Sequence, residues 1–154
     1  MNRYRRIIRW VFTVVFTIGA AVHIIFAFCS PGSYAAYGTT APPWLAQLWS
    51  AFVMPNIWWL ALLMALVEAR IAAGLASHGR RVQVAAAASL CFFAFLLLLG
   101  YSWPTASPLE DFFKNRATTL VLAAAVAPLL FDADAKTLLK RWPLTGKPAH
   151  PSHD

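Results

Sequence analysis

Charge is what this 154-residue chain has least of: 12% of its residues are charged, and only six are acidic. A soluble domain carries about a quarter, so the polar shell of an ordinary soluble fold cannot be built from this composition. Cysteine is equally sparse. Cys29 and Cys91 stand far apart with no CxxC between them, which leaves out local metal clusters and dithiol redox motifs. They read as two unrelated thiols, buried or interfacial. The sequence contains no glycine-rich phosphate loop, no Ser/His/Asp set, no metal-ligand cluster and no internal repeat. An enzyme with a conventional catalytic constellation is therefore not expected.

The net charge of +7 raises the question of nucleic acid. Its basic residues sit in short clusters beside apolar runs, not along an extended face that would track a phosphate backbone. Nucleic acid is not an expected partner; a lipid bilayer is.

What the chain has in abundance is apolar length. Hydrophobic residues make up 60% of it, and the mean hydropathy is +0.59. Four segments stand out, at about 7–29, 51–75, 82–101 and 109–131. Each has roughly the 20–25 residues that an α-helix needs to cross the hydrocarbon core. Runs of this length in lipid must be helical, because the backbone has to satisfy its own hydrogen bonds. The expected fold is an all-α membrane protein, a four-transmembrane-helix bundle over residues 1–142, followed by a disordered cytoplasmic tail at 143–154.

Two of these segments need separate argument. The first follows a basic Asn2-Arg3-Tyr4-Arg5-Arg6 and has the outline of a signal peptide. Its apolar stretch exceeds the ~7–15 residues of a signal core, and no small-x-small site closes it. Phe28 before Cys29 also disfavours a lipoprotein-type site, so a retained helix is expected. The uncharged part of the fourth is short, 117–131. Upstream, Ser107-Pro108-Leu109-Glu110 combines a capping serine, a proline at the first helical position and a glutamate three residues after the cap. Starting there brings in Leu109, Phe112 and Phe113, with Lys114 and Arg116 snorkelling outward.

Lysine and arginine placement sets the orientation. Arg3, Arg5, Arg6, Arg9, Arg70, Arg80, Arg81, Lys136, Lys140, Arg141 and Lys147 fall on one side, and Lys114 and Arg116 on the other, a split of eleven to two. The positive-inside rule then puts both termini in the cytoplasm, in a multi-pass protein of the cell (inner) membrane. Trp44, Trp49, Trp58, Trp59 and Trp103 gather near the outer boundary, with Trp10 and Trp142 near the inner one, as in an aromatic belt. The outer connection, Ser30 to Ser50, carries no charge; within it the apolar Trp44–Trp49 stretch is expected on the membrane surface. Pro55 marks the start of the second helix or a kink near it. His150 and His153 lie in the tail without metal-site spacing.

Ionisable residues inside a membrane are the functional candidates by default. Glu68 lies about seven residues, roughly 10 Å, from the cytoplasmic end of the second helix. Thr13 and Thr17, one turn apart on the first helix, together with Ser89 and Cys91, are the neighbours expected at its depth. Such a glutamate either handles a proton or a quinol, or ties helices together as a structural group. His23 lies near the outer end of the first helix, at the expected level of Asn56, Trp58 or Trp59, Thr118 and Thr119. It would hydrogen-bond a quinone headgroup, shuttle a proton, or simply join helices. A bis-histidine haem within the chain would need a second buried histidine, and His78 is on the wrong side. His23 and Glu68 differ in depth by about 10 Å counted along the helices, so direct pairing is not expected.

The stretch Ala65-Leu66-Val67-Glu68-Ala69-Arg70-Ile71-Ala72-Ala73-Gly74-Leu75, the basic Arg80-Arg81 turn and the alanine-rich third helix resemble the DoxX-like family of small four-helix membrane proteins. Arg5-Arg6 ahead of the first helix, His23 at its outer end and Asn115 opening the fourth are similar as well. The chain departs from that pattern in a longer outer connection and in lacking a glycine pair after the glutamate. The resemblance implies the four-helix plan and a functional position at Glu68. It also implies work beside quinone-linked oxidoreductases or redox proteins.

Three function classes follow. The first is a non-catalytic accessory subunit packed against other subunits of a larger membrane complex, including a redox one. Small size, the missing catalytic set and small-residue faces at Ala65, Ala69 and Ala73, and at Ala123 and Ala127, favour it. The second is a quinone-linked oxidoreductase subunit using Glu68, with quinone as cofactor. The third is a carrier of a small lipophilic molecule, for which the sequence offers no inverted repeat and only Pro55 and Pro128 as helix breaks.

Overall fold

A computed structural model describes residues 3–131. The expectations for the tail, including 143–154, Trp142, His150, His153 and the basic residues from Lys136 on, lie outside the described residues. Within them the chain is helical, without strands. Three helices are long and apolar enough to cross a membrane: Arg3–Cys29, Pro43–Ala76 and Arg80–Leu99.

The first is α1, Arg3–Cys29. The second is composite: α2, Pro43–Leu48, continues through a wide π turn at Trp49–Val53 and a tight 3-10 turn at Met54–Asn56 into α3, Ile57–Ala76. Pro55 explains the irregular turns, since it has no N–H for the helical ladder and its ring crowds the preceding turn. The Trp44–Trp49 stretch is thus continuous with the second long helix. The third is α4, Arg80–Leu99. The fourth apolar segment is helical in consecutive pieces: α5, Pro108–Asp111, a π turn at Phe112–Arg116, α6, Ala117–Val126, and a 3-10 stretch at Ala127–Phe131. Ser107 caps it, its Oγ accepting from the Glu110 N–H at 3.2 Å. The Glu110 carboxylate reaches back to the Ala106 N–H at 2.8 Å, one residue short of the reciprocal bond of a capping box.

α1 packs along α3, α3 against α4, and α4 against α6 and the 127–131 stretch. The start of α1, the end of α3 and the start of α4 share the arginine end of the bundle. There Arg9 caps α3, donating from Nε to the Leu75 carbonyl at 3.0 Å and from Nη2 to the Ser77 carbonyl. Phe12, Phe16 and Phe93 fill the core between α1 and α4. Val11, Val14, Ile18, Ile25, Leu63, Leu66, Val84 and Leu98 face outward. So much exposed apolar surface would be an aggregation liability in water and is the ordinary exterior of a protein in lipid.

At the far end the connection after α1 forms a 3-10 stretch, Pro31–Gly38. It is tied down by Thr40, which donates to the Leu99 carbonyl at 2.8 Å and accepts through its own carbonyl from Arg116 at 2.9 Å. Asn115, fully buried, clasps Trp103 through a pair of backbone bonds at 2.8 and 3.1 Å. Trp44, Trp58, Trp59 and Trp103 are exposed at this end and Trp10 near the other, whereas Trp49 is buried. Cys29 and Cys91 are both free and exposed on the bundle surface.

Gly74 sets the α3–α4 approach. A Cβ there would lie 2.6 Å from the Ala85 Cβ. Gly74→Val should therefore lower stability by about 1–3 kcal/mol, as overpacking does. A melting curve in detergent checks this, and an unchanged transition would mean that the helices separate there without cost.

Candidate functional site

The seam between α1 and α3 brings together the two polar residues expected at different depths. His23 Nε2 lies 3.8 Å from Glu68 Oε2, within ion-pair reach though longer than a hydrogen bond. The expectation that they stay apart is therefore corrected. It counted depth along helix axes alone. Helical side chains lean toward their own N-terminus, and the two helices run in opposite directions, so His23 leans toward the arginine end and Glu68 toward the far end. Gly19, one turn before His23, leaves the space that the carboxylate occupies: a Cβ on Gly19 would sit 2.6 Å from Glu68 Oε2.

Glu68 is buried, and its Oε2 has no hydrogen-bond partner among the described residues. A buried unsatisfied oxygen costs about 1–3 kcal/mol, and native structures leave few of them, which singles out Glu68 among the buried polar residues.

On its other side the histidine meets the outer connection. Its Nδ1 is 2.5 Å from the Tyr34 hydroxyl, and the two rings stack with an interplanar angle of 8°. Burial pushes the Tyr34 hydroxyl up to about 12, with Tyr37 and Glu68 nearby pushing the same way. Tyr34 therefore keeps its proton. With the ring hydrogen assigned to Nε2, on the side of Glu68, the hydroxyl donates to Nδ1. Tyr34 is in turn held by Trp49, whose indole N–H donates to the Tyr34 carbonyl at 2.9 Å.

Beside this chain of contacts lies a cavity of about 360 Å³. Its walls are mostly apolar, from Ile57, Leu60, Ala61 and Met64 of α3 and Phe95, Leu96 and Leu99 of α4. His23, Tyr34, Tyr37, Trp49 and Tyr101 supply its polar end; Glu68 stands behind His23, outside the wall. The Tyr101 hydroxyl accepts from Thr119 at 2.8 Å, which leaves its own hydrogen free to give. Tyr37 makes no hydrogen bond through its hydroxyl among the described residues. Burial, reinforced by Tyr101, holds the Tyr37 hydroxyl in its protonated form. The cavity thus offers donors to an apolar guest that carries an acceptor.

The remaining sequence candidates lie elsewhere. Thr13 and Thr17 donate to carbonyls one turn back in their own helix, at 2.8 and 2.7 Å, as Ser89 does to Ala85 at 2.8 Å. Asn56 donates to the Phe52 carbonyl at 2.8 Å and accepts from the Trp59 indole at 3.1 Å, bracing the start of α3. Thr118 is exposed, while the buried Thr119 reaches the cavity through Tyr101.

The chain matches no family model, no curated protein and no solved structure.

Sequence reasoning passed over Gly19, Tyr34, Tyr37, Trp49 and Tyr101 as site residues. The usable signal was the connection itself. A loop without charge from Ser30 to Ser50, carrying two tyrosines, has little to hold it in water.

Tyr34 gives the site a pH signature. With its folded value near 12 and the unfolded value near 10, its contribution to stability is intact below about pH 10. It is lost between about pH 10 and 12, where only the unfolded hydroxyl ionises. Thermal melts across that range should fall more steeply for the wild type than for Tyr34→Phe. Parallel slopes would show that Tyr34 ionises as easily folded as unfolded.

Proposed function

We propose that this chain is a multi-pass protein of the cell membrane that binds a small lipophilic molecule with a carbonyl headgroup, of the quinone class, between α1, α3 and α4. The observation that carries the reading is the cavity. It is an apolar space whose polar end presents tyrosine hydroxyls with hydrogens to give, the makeup of a site for a mostly apolar ligand. Depth supports the choice of guest, because the walls belong to helices whose outer faces are suited to lipid. His23, with Tyr34 on one ring nitrogen and Glu68 near the other, suits a site where a proton accompanies the headgroup.

The reading includes four crossings with both termini cytoplasmic. In its favour are the continuous helical run of 108–131 and the eleven-to-two division of lysine and arginine. The resemblance to DoxX-like proteins, carried chiefly at Glu68, leans toward the same quinone-linked work.

Titrating the detergent-solubilised chain with a short-tailed benzoquinone should quench tryptophan fluorescence to saturation. Tyr37→Phe should weaken binding about threefold to tenfold, the worth of one hydrogen bond. Ala61→Leu should weaken it by filling the cavity, with helicity by circular dichroism as the control for folding. Linear, unsaturable quenching that neither substitution alters would remove the reading.

A second reading, an accessory subunit of a larger membrane complex, draws on a different surface. Thr13, Thr17, Ala20, Ala69, Ala72, Ala73 and Ala76 line a shallow groove of about 300 Å³ on the outside of the α1–α3 seam. Small residues of this kind let another helix approach closely in lipid. Mild-detergent purification from the native membrane should then bring partner subunits along, and Ala73→Leu should release them. Recovery of a solitary, monodisperse chain under the same conditions would count against it.

A further inference from the structure

At the arginine end, a second groove opens between α3 and α4, with a volume of about 760 Å³. Leu66, Val67, Val84 and Ala88 form its apolar wall, and Arg70, Arg80 and Arg81 its rim. Arg70 lies about 9 Å before the end of α3, a depth from which its side chain reaches the membrane surface by extending along the helix. Arg80 and Arg81 open α4 beside it.

None of the three arginines pairs with a carboxylate of the described residues. Those carboxylates are committed elsewhere. Glu68 is buried beside His23, Glu110 pairs with Lys114 at 2.5 Å, and Asp111 pairs with Arg116 at the far end. Three guanidinium groups thus crown an apolar trough, with no carboxylate of the described residues to answer them. Guanidinium is the side chain best shaped to grip a phosphate through paired hydrogen bonds.

We propose that this groove is a binding site for an anionic phospholipid. Its phosphate would sit among Arg70, Arg80 and Arg81, and an acyl chain would lie against Leu66, Val67, Val84 and Ala88. Basic pockets between transmembrane helices commonly take such headgroups. The inference rests on the chain lying in a bilayer and is independent of what fills the cavity beside His23.

Native mass spectrometry of the full-length chain in detergent tests it, with phosphatidylglycerol and phosphatidylcholine as probes and inorganic phosphate as competitor. Phosphatidylglycerol should be retained in preference to phosphatidylcholine. Each of R70Q, R80Q and R81Q should cut that retention about fivefold, and millimolar phosphate should fail to displace the lipid. Val84→Trp, which fills the trough and leaves the arginines in place, should also reduce retention, so the test survives an arginine variant that folds poorly. Equal retention of both lipids, undiminished retention in the folded arginine variants, or insensitivity to Val84→Trp would overturn the proposal. Displacement by inorganic phosphate alone would overturn it too, by showing that the guanidinium groups hold a free anion.

Discussion

The close antiparallel packing of α1 on α3 is the contact on which the rest of this structure depends. Two features fix its register. Arg9 satisfies the carbonyls at the end of α3, and Gly19 makes room for the Glu68 carboxylate. In a low-dielectric interior an open helix end and a buried carboxylate are both costly, and one seam accommodates both. Slide α1 by a turn and Arg9 loses its carbonyls while a bulkier residue meets Glu68. The same register sets His23 one turn beyond Gly19, where it meets Tyr34 from above and Glu68 from below.

The far end answers a different constraint. The long connection after α1 carries no charge, so it lies over the bundle mouth and satisfies its polar groups internally. Thr40 bonds the end of α4, Arg116 bonds Thr40, and Trp49 bonds Tyr34. Pro55 contributes by breaking the helical ladder just before α3. The resulting irregular turns let one apolar run continue as α3 and also carry α2 and Trp49 against the connection. The cavity exists because these elements close one end of the space between α3 and α4, and small residues such as Ala61 do not fill it.

Much of the architecture was legible beforehand because the bilayer reduces folding to a length and a hydropathy. The positions of α1, α3 and α4 follow from apolar runs long enough to span hydrocarbon, and the Ser107 cap follows from its local pattern. Glu68 and His23 were legible for the same reason: an ionisable residue inside such a run is conspicuous. Their proximity was not, because residue counting measures depth along an axis and ignores the lean of side chains on opposed helices. Trp49 was misplaced by a similar shortcut. Its position near a boundary fits an aromatic belt, yet its indole turns inward to the Tyr34 carbonyl.

By itself the sequence determined the apolar runs that suit this chain to a membrane, its helical character and the two polar residues that stand out within it. These are properties of composition and local periodicity, and every segment carries them independently of its neighbours. Only the tertiary structure decided that His23 and Glu68 share a site, that Tyr34, Tyr37 and Tyr101 line a cavity beside it, and that Arg70, Arg80 and Arg81 border one groove. Each of those depends on how helices rotate and slide against one another. Small residues such as Gly19 and Gly74 set that geometry through the close approaches they permit, and an absent side chain leaves little trace in a sequence until its neighbour across the seam is known.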